Sequence, residues 1–234
     1  INYSKKIKKK IIEEFNYFYS NKFKINFQDH LYNNNLNPIS EYLIKEIQYQ
    51  INLNQIIHLD QNTDKIKLNI RKSYKSLINI SKKNLSIKIY DYKNTNINIL
   101  NSFRNLHTEQ AGRQTRSEQS WKNHLSAIFQ KKGFLIYGFI KSELVTAALF
   151  LNNDNTVYYG VSASKRSMFK NPLSHSIIWT AINYSKELGF KYFDLGNIYE
   201  NIDKKIDSKI NNINKFKTGF GGVKKISLVF KNYE

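Results

Sequence analysis

The chain has 234 residues, enough for one large domain or two small ones with a real core, and it sets 37 Lys and Arg against 18 Asp and Glu. With no cysteine, disulfides, thiolate metal sites and a cysteine nucleophile are excluded; the five histidines (His30, His58, His107, His124, His175) show no pair at metal-ligand spacing, so no metal is expected. The net charge of +19 predicts attraction to polyanions, although a composition rich in Asn, Ile and Lys, as AT-rich genomes encode, accounts equally well for much of the lysine.

Ile1 to Ser20 reads as a helix with a basic start and Ile11, Ile12, Phe15, Phe18 and Tyr19 at helical spacing. The chain opens on Ile1 rather than methionine, and residues upstream of it are expected; no signal peptide is visible. Phe23, Ile25 and Phe27 alternate as in a half-buried strand. Asn33 to Pro38 is a turn cluster, and Ser40 opens a short helix through Leu43 and Ile47. Ile56 to Asp60 is a short strand. Thr63 or Asp64 then caps one helix whose apolar face is Ile66, Ile70, Tyr74, Leu77 and Ile78, and Leu85 to Tyr90 is the next strand.

Residues 97–128 form two helices broken near Gly112 to Ser117. Phe134 to Ile140, Leu144 to Leu151 and Thr156 to Ser162 follow as an antiparallel meander; the first two are far too short to span a bilayer. Ser174 to Leu188 is an amphipathic helix stopped by Gly189, and Tyr192 to Leu195 is a strand feeding a polar excursion, Asn197 to Asn214. Val223 to Phe230 closes the chain. Meander, helix and two more strands predict one mixed α/β sheet over Phe134 to Phe230.

Chemistry concentrates in Asn214-Lys215-Phe216-Lys217-Thr218-Gly219-Phe220-Gly221-Gly222. Glycines let backbone approach a ligand, and two phenylalanines can wall a slot in which the Lys217 ammonium would stabilise charge developing on a carbonyl. The same residues also fit a plain turn with Lys217 in solvent. Asp194 ends a strand, where α/β sites commonly lie, and a carboxylate capping the following loop is the preferred reading of it. Of Tyr158 and Tyr159, one should face the core, and Tyr159 is assigned to the site.

Tyr159-Gly160-Val161-Ser162, Trp179 to Ile182 with Gly189, Phe193 to Gly196 and Phe216 to Gly222 together resemble the C-terminal signature of FemAB-like acyltransferases. Arg71 to Asn79 is similar to the basic helix joining that family's halves, and Phe103 to Trp121, with Thr108, Arg113 and Arg116, to the segment leading into the second half. The resemblance covers roughly residues 56–230. It implies an α/β (α+β) fold of two GNAT-like units, mixed sheets with flanking helices, with residues 1–90 a partial first unit and 91–234 a complete second one.

It implies transfer of an aminoacyl or acyl group onto an amine of a cell-envelope precursor, either a peptidoglycan stem peptide or an amino sugar. The donor is aminoacyl-tRNA or acyl-CoA, no cofactor is bound tightly, and the acceptor is an anionic nucleotide-sugar or lipid-linked molecule. The reaction is placed in the cytoplasm, at the inner face of the membrane where the acceptor is lipid-linked. Lys217 maps onto the family's lysine and Phe216 onto the aromatic wall. Arg113 and Arg116 fall among substrate-binding basic residues, and Arg71 is expected to meet phosphate. The Arg/Gln-x-x-Gly-x-Gly loop that cradles CoA is replaced by Ser164 to Pro172. Two rival readings stand beside this one: a basic nucleic-acid binder, and a degenerate acyltransferase acting as an assembly partner.

Overall fold

The computed structural model describes residues 4–20, 25–31, 35–94, 97–200 and 207–231. Phe23, Asn33 and Asn34, and residues 201–206 of the expected polar excursion, lie outside the described residues. In chain order the elements are α1 (Lys5–Ser20), β1 (Asn26–His30), α2 (Pro38–Glu46), β2 (Tyr49–His58), α3 (Thr63–Leu68), α4 (Lys72–Asn84), β3 (Ser86–Tyr90), α5 (Ile97–Ala111), α6 (Glu118–Phe129), β4 (Gly133–Ile140), β5 (Glu143–Asn152) and β6 (Thr156–Ser164). After a 3₁₀ turn at Arg166–Met168 come α7 (Leu173–Glu187), β7 (Tyr192–Ile198), α8 (Ser208–Thr218) and β8 (Val223–Lys231). They form two units, Ile1–Gln55 with Asn197–Lys205 and Lys224–Glu234, and Ile56–Gly196 with Ile206–Val223.

In the first unit the strands lie in the order β1-β8-β2, and β8 runs antiparallel to β1 from Asn26 opposite Lys231 to His30 opposite Ser227. Ile25, Leu43, Leu228 and Phe230 form its core, with Phe15 of α1 against it. The expected closing strand thus pairs with residues of the first sixty rather than with β7. Strand β2 is also twice its expected length. Its first residues, Tyr49 to Ile51, are exposed, and the polar residues buried in it are Asn54 and Gln55. Ser227 Oγ donates to Asn54 Oδ1 at 2.9 Å and accepts from Gln28 Nε2 at 2.9 Å.

In the second unit the order is β2-β7-β6-β5-β4-β3, with β2 contributing its last residues. β3 to β6 are antiparallel neighbours and β6 and β7 are parallel, giving the expected meander and mixed sheet. Both faces are covered. On β4, Phe134 and Ile136 join a cluster with α4, α7 and Trp179, whereas Leu135 and Tyr137 join a cluster with α5, α6 and Trp121. Strands buried on both faces read as continuous apolar runs, which is why these three were the clearest in the sequence.

The single helix expected after Thr63 is two, α3 and α4, broken at Asn69 to Arg71. Its cap is Asn62, whose side chain accepts from the Asp64 N–H at 2.8 Å. Helix α4 and strand β3, assigned by sequence to the first ninety residues, belong to the second unit.

Candidate active site

Strands β6 and β7 stay paired for only three residues, Thr156 beside Tyr192, Val157 beside Phe193 and Tyr158 beside Asp194. Where they part, the Asp194 side chain is wholly buried, and its Oδ1 accepts the Gly196 N–H at 2.6 Å. Gly196 has φ +84°, a conformation that costs a side chain dearly and glycine nothing. The space beside it is taken: a Cβ there would lie 3.3 Å from Lys217 Nζ and 3.6 Å from the Tyr158 hydroxyl. An ammonium and a phenol therefore converge on one point of backbone just past the paired residues of β6 and β7, with a buried carboxylate two residues before it.

Lys217 does not sit in a loop. It occupies the last turn of α8, where its charge also complements the negative end of the helix. The polar sequence hid this helix, which begins at Asp207, whose side chain accepts from the Lys209 N–H at 3.0 Å. Burial pushes the Lys217 pKa down from 10.5, and the Asp194 charge partly restores it.

Phe216, one residue earlier, faces a group of aromatic rings. Its ring meets Phe220 edge-on at 5.2 Å and His175 at 5.6 Å, and Tyr74 joins the group at 4.6 Å from His175. Burial lowers the His175 pKa, so its ring is neutral at pH 7. Together with Leu77, Phe169, Pro172 and Leu173, these Phe216 and His175 rings line a cleft of about 280 Å³.

The glycines after Lys217 do not cradle a ligand. A Cβ on Gly219 would fall 2.3 to 2.9 Å from the Tyr74 ring, and one on Gly222 would fall 2.2 Å from the Ile56 carbonyl oxygen. They permit protein to pack on protein. The Arg71 N–H donates to the Gly219 carbonyl at 2.9 Å, while its guanidinium lies 5.0 Å over the Tyr74 ring. The start of α4 is thereby stitched to the end of α8, and Arg71 stands exposed beside that junction.

Tyr159 lies elsewhere. It stacks on Phe150 at 5.6 Å, and its hydroxyl donates to Ser162 Oγ at 2.6 Å. Tyr158 holds the place assigned to it, because Val157 shares a face with buried Phe193 and Tyr158 with Asp194. Finding this requires the register of β6 against β7 as well as the parity of Phe193. Arg113 and Arg116 lie between α5 and α6, apart from the Lys217 contacts above. There burial, with the Arg116 charge added to it, lowers the pKa of His107 and His124, which flank Trp121 edge-on. Among the described residues no His, Asp and Glu group could hold a metal.

No protein-family model and no curated protein sequence matches this chain. Solved structures do. FemX superposes with a TM-score of 0.60 at 14% identity, over 77% of this chain and 61% of FemX. L-PGS from Bacillus licheniformis gives 0.61 at 14% identity, over 96% of this chain and 73% of that one. The chain has a Fem-type fold. A third structure with this fold is a C-terminal DUF2156 domain from Agrobacterium fabrum, assigned provisionally to a lysylphosphatidylglycerol synthetase, at 0.53 and 9% identity over 77% of this chain and 61% of that one. The chain thus spans about three fifths of FemX's length, and the likeness is one of backbone path.

Proposed function

We propose that this protein transfers an aminoacyl or acyl group from aminoacyl-tRNA or acyl-CoA to an amine of a cell-envelope precursor. The observation carrying this reading is the convergence of Lys217 Nζ and the Tyr158 hydroxyl on Gly196, in front of buried Asp194. Its support from comparison is the Fem-type fold, shared with FemX and a lysylphosphatidylglycerol synthetase domain.

The acceptor nitrogen attacks the donor carbonyl carbon, forming a C–N bond as the carbonyl electrons move onto oxygen. The Lys217 ammonium and the Tyr158 hydroxyl donate to that oxyanion in a partly dry site, where such donors act most strongly. Collapse breaks the C–O bond of an ester or the C–S bond of a thioester, and the leaving group takes up the proton the amine loses. Burial works against the Lys217 charge, and Asp194 offsets part of that effect. Phe216 walls the acyl side, and Arg71, Arg113 and Arg116 supply positive charge to an anionic donor or acceptor.

The test is turnover of candidate aminoacyl-tRNA and acyl-CoA donors by the full-length protein. Lys217→Met should reduce it by on the order of 10²–10³, as loss of one oxyanion donor does. Lys217→Arg should recover only part, since a planar fork presents its donors differently. Equal turnover by Lys217→Met and a surface control, Lys231→Met, with unchanged melting, would refute the role of Lys217.

A further inference from the structure

The cleft beside Phe216 has a chemistry of its own. Its apolar walls are Leu77, Phe169, Pro172, Leu173 and Phe216; His175, Ser164, Asn171 and Ser174 add neutral polar groups, and the one charged group among its lining residues is Lys170. At about 280 Å³ it falls at the lower edge of the roughly 300–1,000 Å³ that drug-sized ligands occupy, so it suits one large side chain rather than a nucleotide carrier. Phe169 is 66% exposed at its rim, apolar surface that a ligand would cover. Phe216 and Lys217 are successive residues of α8, about 100° apart round the helix, so cleft and ammonium flank the same helix end. Ser164, the last residue of β6, also lines the cleft.

We infer that the group transferred carries a large apolar side chain, leucyl- or phenylalanyl-like, seated in this cleft; the inference rests on the acyltransferase reading above. A lysyl chain would bring its ammonium against Lys170 with no lining carboxylate to receive it, and a desolvated cation without a partner binds poorly. His175, neutral by burial, adds no charge that could help an acidic chain. A small alanyl group would leave most of the volume empty. The cleft therefore separates this chain's substrate from the lysyl group named for one of its structural likenesses.

Two readouts keep this inference distinct from the reading it rests on. The first is binding of the α-amides of leucine, phenylalanine, alanine and lysine, followed by ligand-observed NMR. Leucinamide and phenylalaninamide should bind at least about tenfold more tightly than the other two, the scale on which a hydrophobic pocket discriminates. Phe169→Ala, at an exposed position where folding is safe, should erase most of that ratio, and Leu77→Asp should move it toward lysinamide. Equal or tighter binding of lysinamide to the unaltered protein, no binding of any amide, or a ratio untouched by Phe169→Ala with folding intact overturns the proposal. The second readout is release of label from leucyl-, phenylalanyl-, alanyl- and lysyl-tRNA to hydroxylamine as a surrogate amine. Preferential release from lysyl- or alanyl-tRNA overturns the cleft inference while upholding acyl transfer. The expected amide ratio with no release from any donor upholds the cleft and overturns acyl transfer from tRNA.

Discussion

Lys217 is pulled two ways, by burial that disfavours its charge and by Asp194 that favours it, and burial prevails. Its folded pKa is below the 10.5 of a free lysine, so between those two values the unfolded chain binds more protons than the folded one. Stability then rises with pH across that window, and the cost of burying the charge is fully present below it. Lys217→Met removes the cost. We expect the variant's stability relative to the parent to be greatest at neutral pH and to shrink as pH approaches 10.5, measured as denaturant midpoints; all other lysines cancel in the comparison. A difference independent of pH would show that Lys217 is not buried as described. Turnover that needs the ammonium should fall as pH rises through the same depressed value.

At the scale of elements, the junction of α4 and α8 holds the site in place. Gly219 has φ −64°, open to any residue, so its need for glycine is purely steric. Gly219→Ala should push Tyr74 aside and with it Phe216 and His175, costing about 1–3 kcal/mol as overpacking does. Against 234 residues that lowers Tm by roughly 2–4 °C per kcal/mol. Tyr74→Leu in the same chain should make the double variant less destabilised than the sum of the singles. Strict additivity would place the two residues out of contact.

The meander, α5, α6 and α7 were legible because their apolar residues keep a clean period and each buries a face. Three features were not. Helix α8 is mostly polar, with no wholly buried side chain, and its sparse apolar residues Ile210, Ile213 and Phe216 make a weak hydrophobic pattern. In β2 the buried polar side chain of Asn54 is held by Ser227, a pairing 173 residues apart in sequence. The glycines of residues 219–222 signal close approach, but sequence does not say whether to a ligand or to Tyr74 and Ile56. Of the site, Lys217, Phe216 and Asp194 were legible from local context. The exchange of Tyr159 for Tyr158 was not, since parity on β6 depends on which face β7 presents.

Over the whole molecule, the charge of +19 is carried partly by segments remote in sequence from Lys217, such as α1 with Lys5, Lys6, Lys8, Lys9 and Lys10 and no acid in its first turn. Affinity for an uncharged tRNA should therefore fall linearly in log–log form as salt rises, and Lys217→Met should change that slope by less than about one. Salt-indifferent binding would remove polyanion attraction from the account. Among the described residues no helix is long and apolar enough to cross a membrane. The two faces of the second unit's sheet also have an optical consequence. The chain has two tryptophans, Trp121 and Trp179, each nearly buried, and each belongs to the cluster on a different face. Replacing one by phenylalanine leaves an emitter that reports only the α5–α6 side or only the α7 side. The first unit contributes no indole emission at all. Intrinsic fluorescence can thus follow the site-bearing side of this protein as it unfolds or fills, with no label attached.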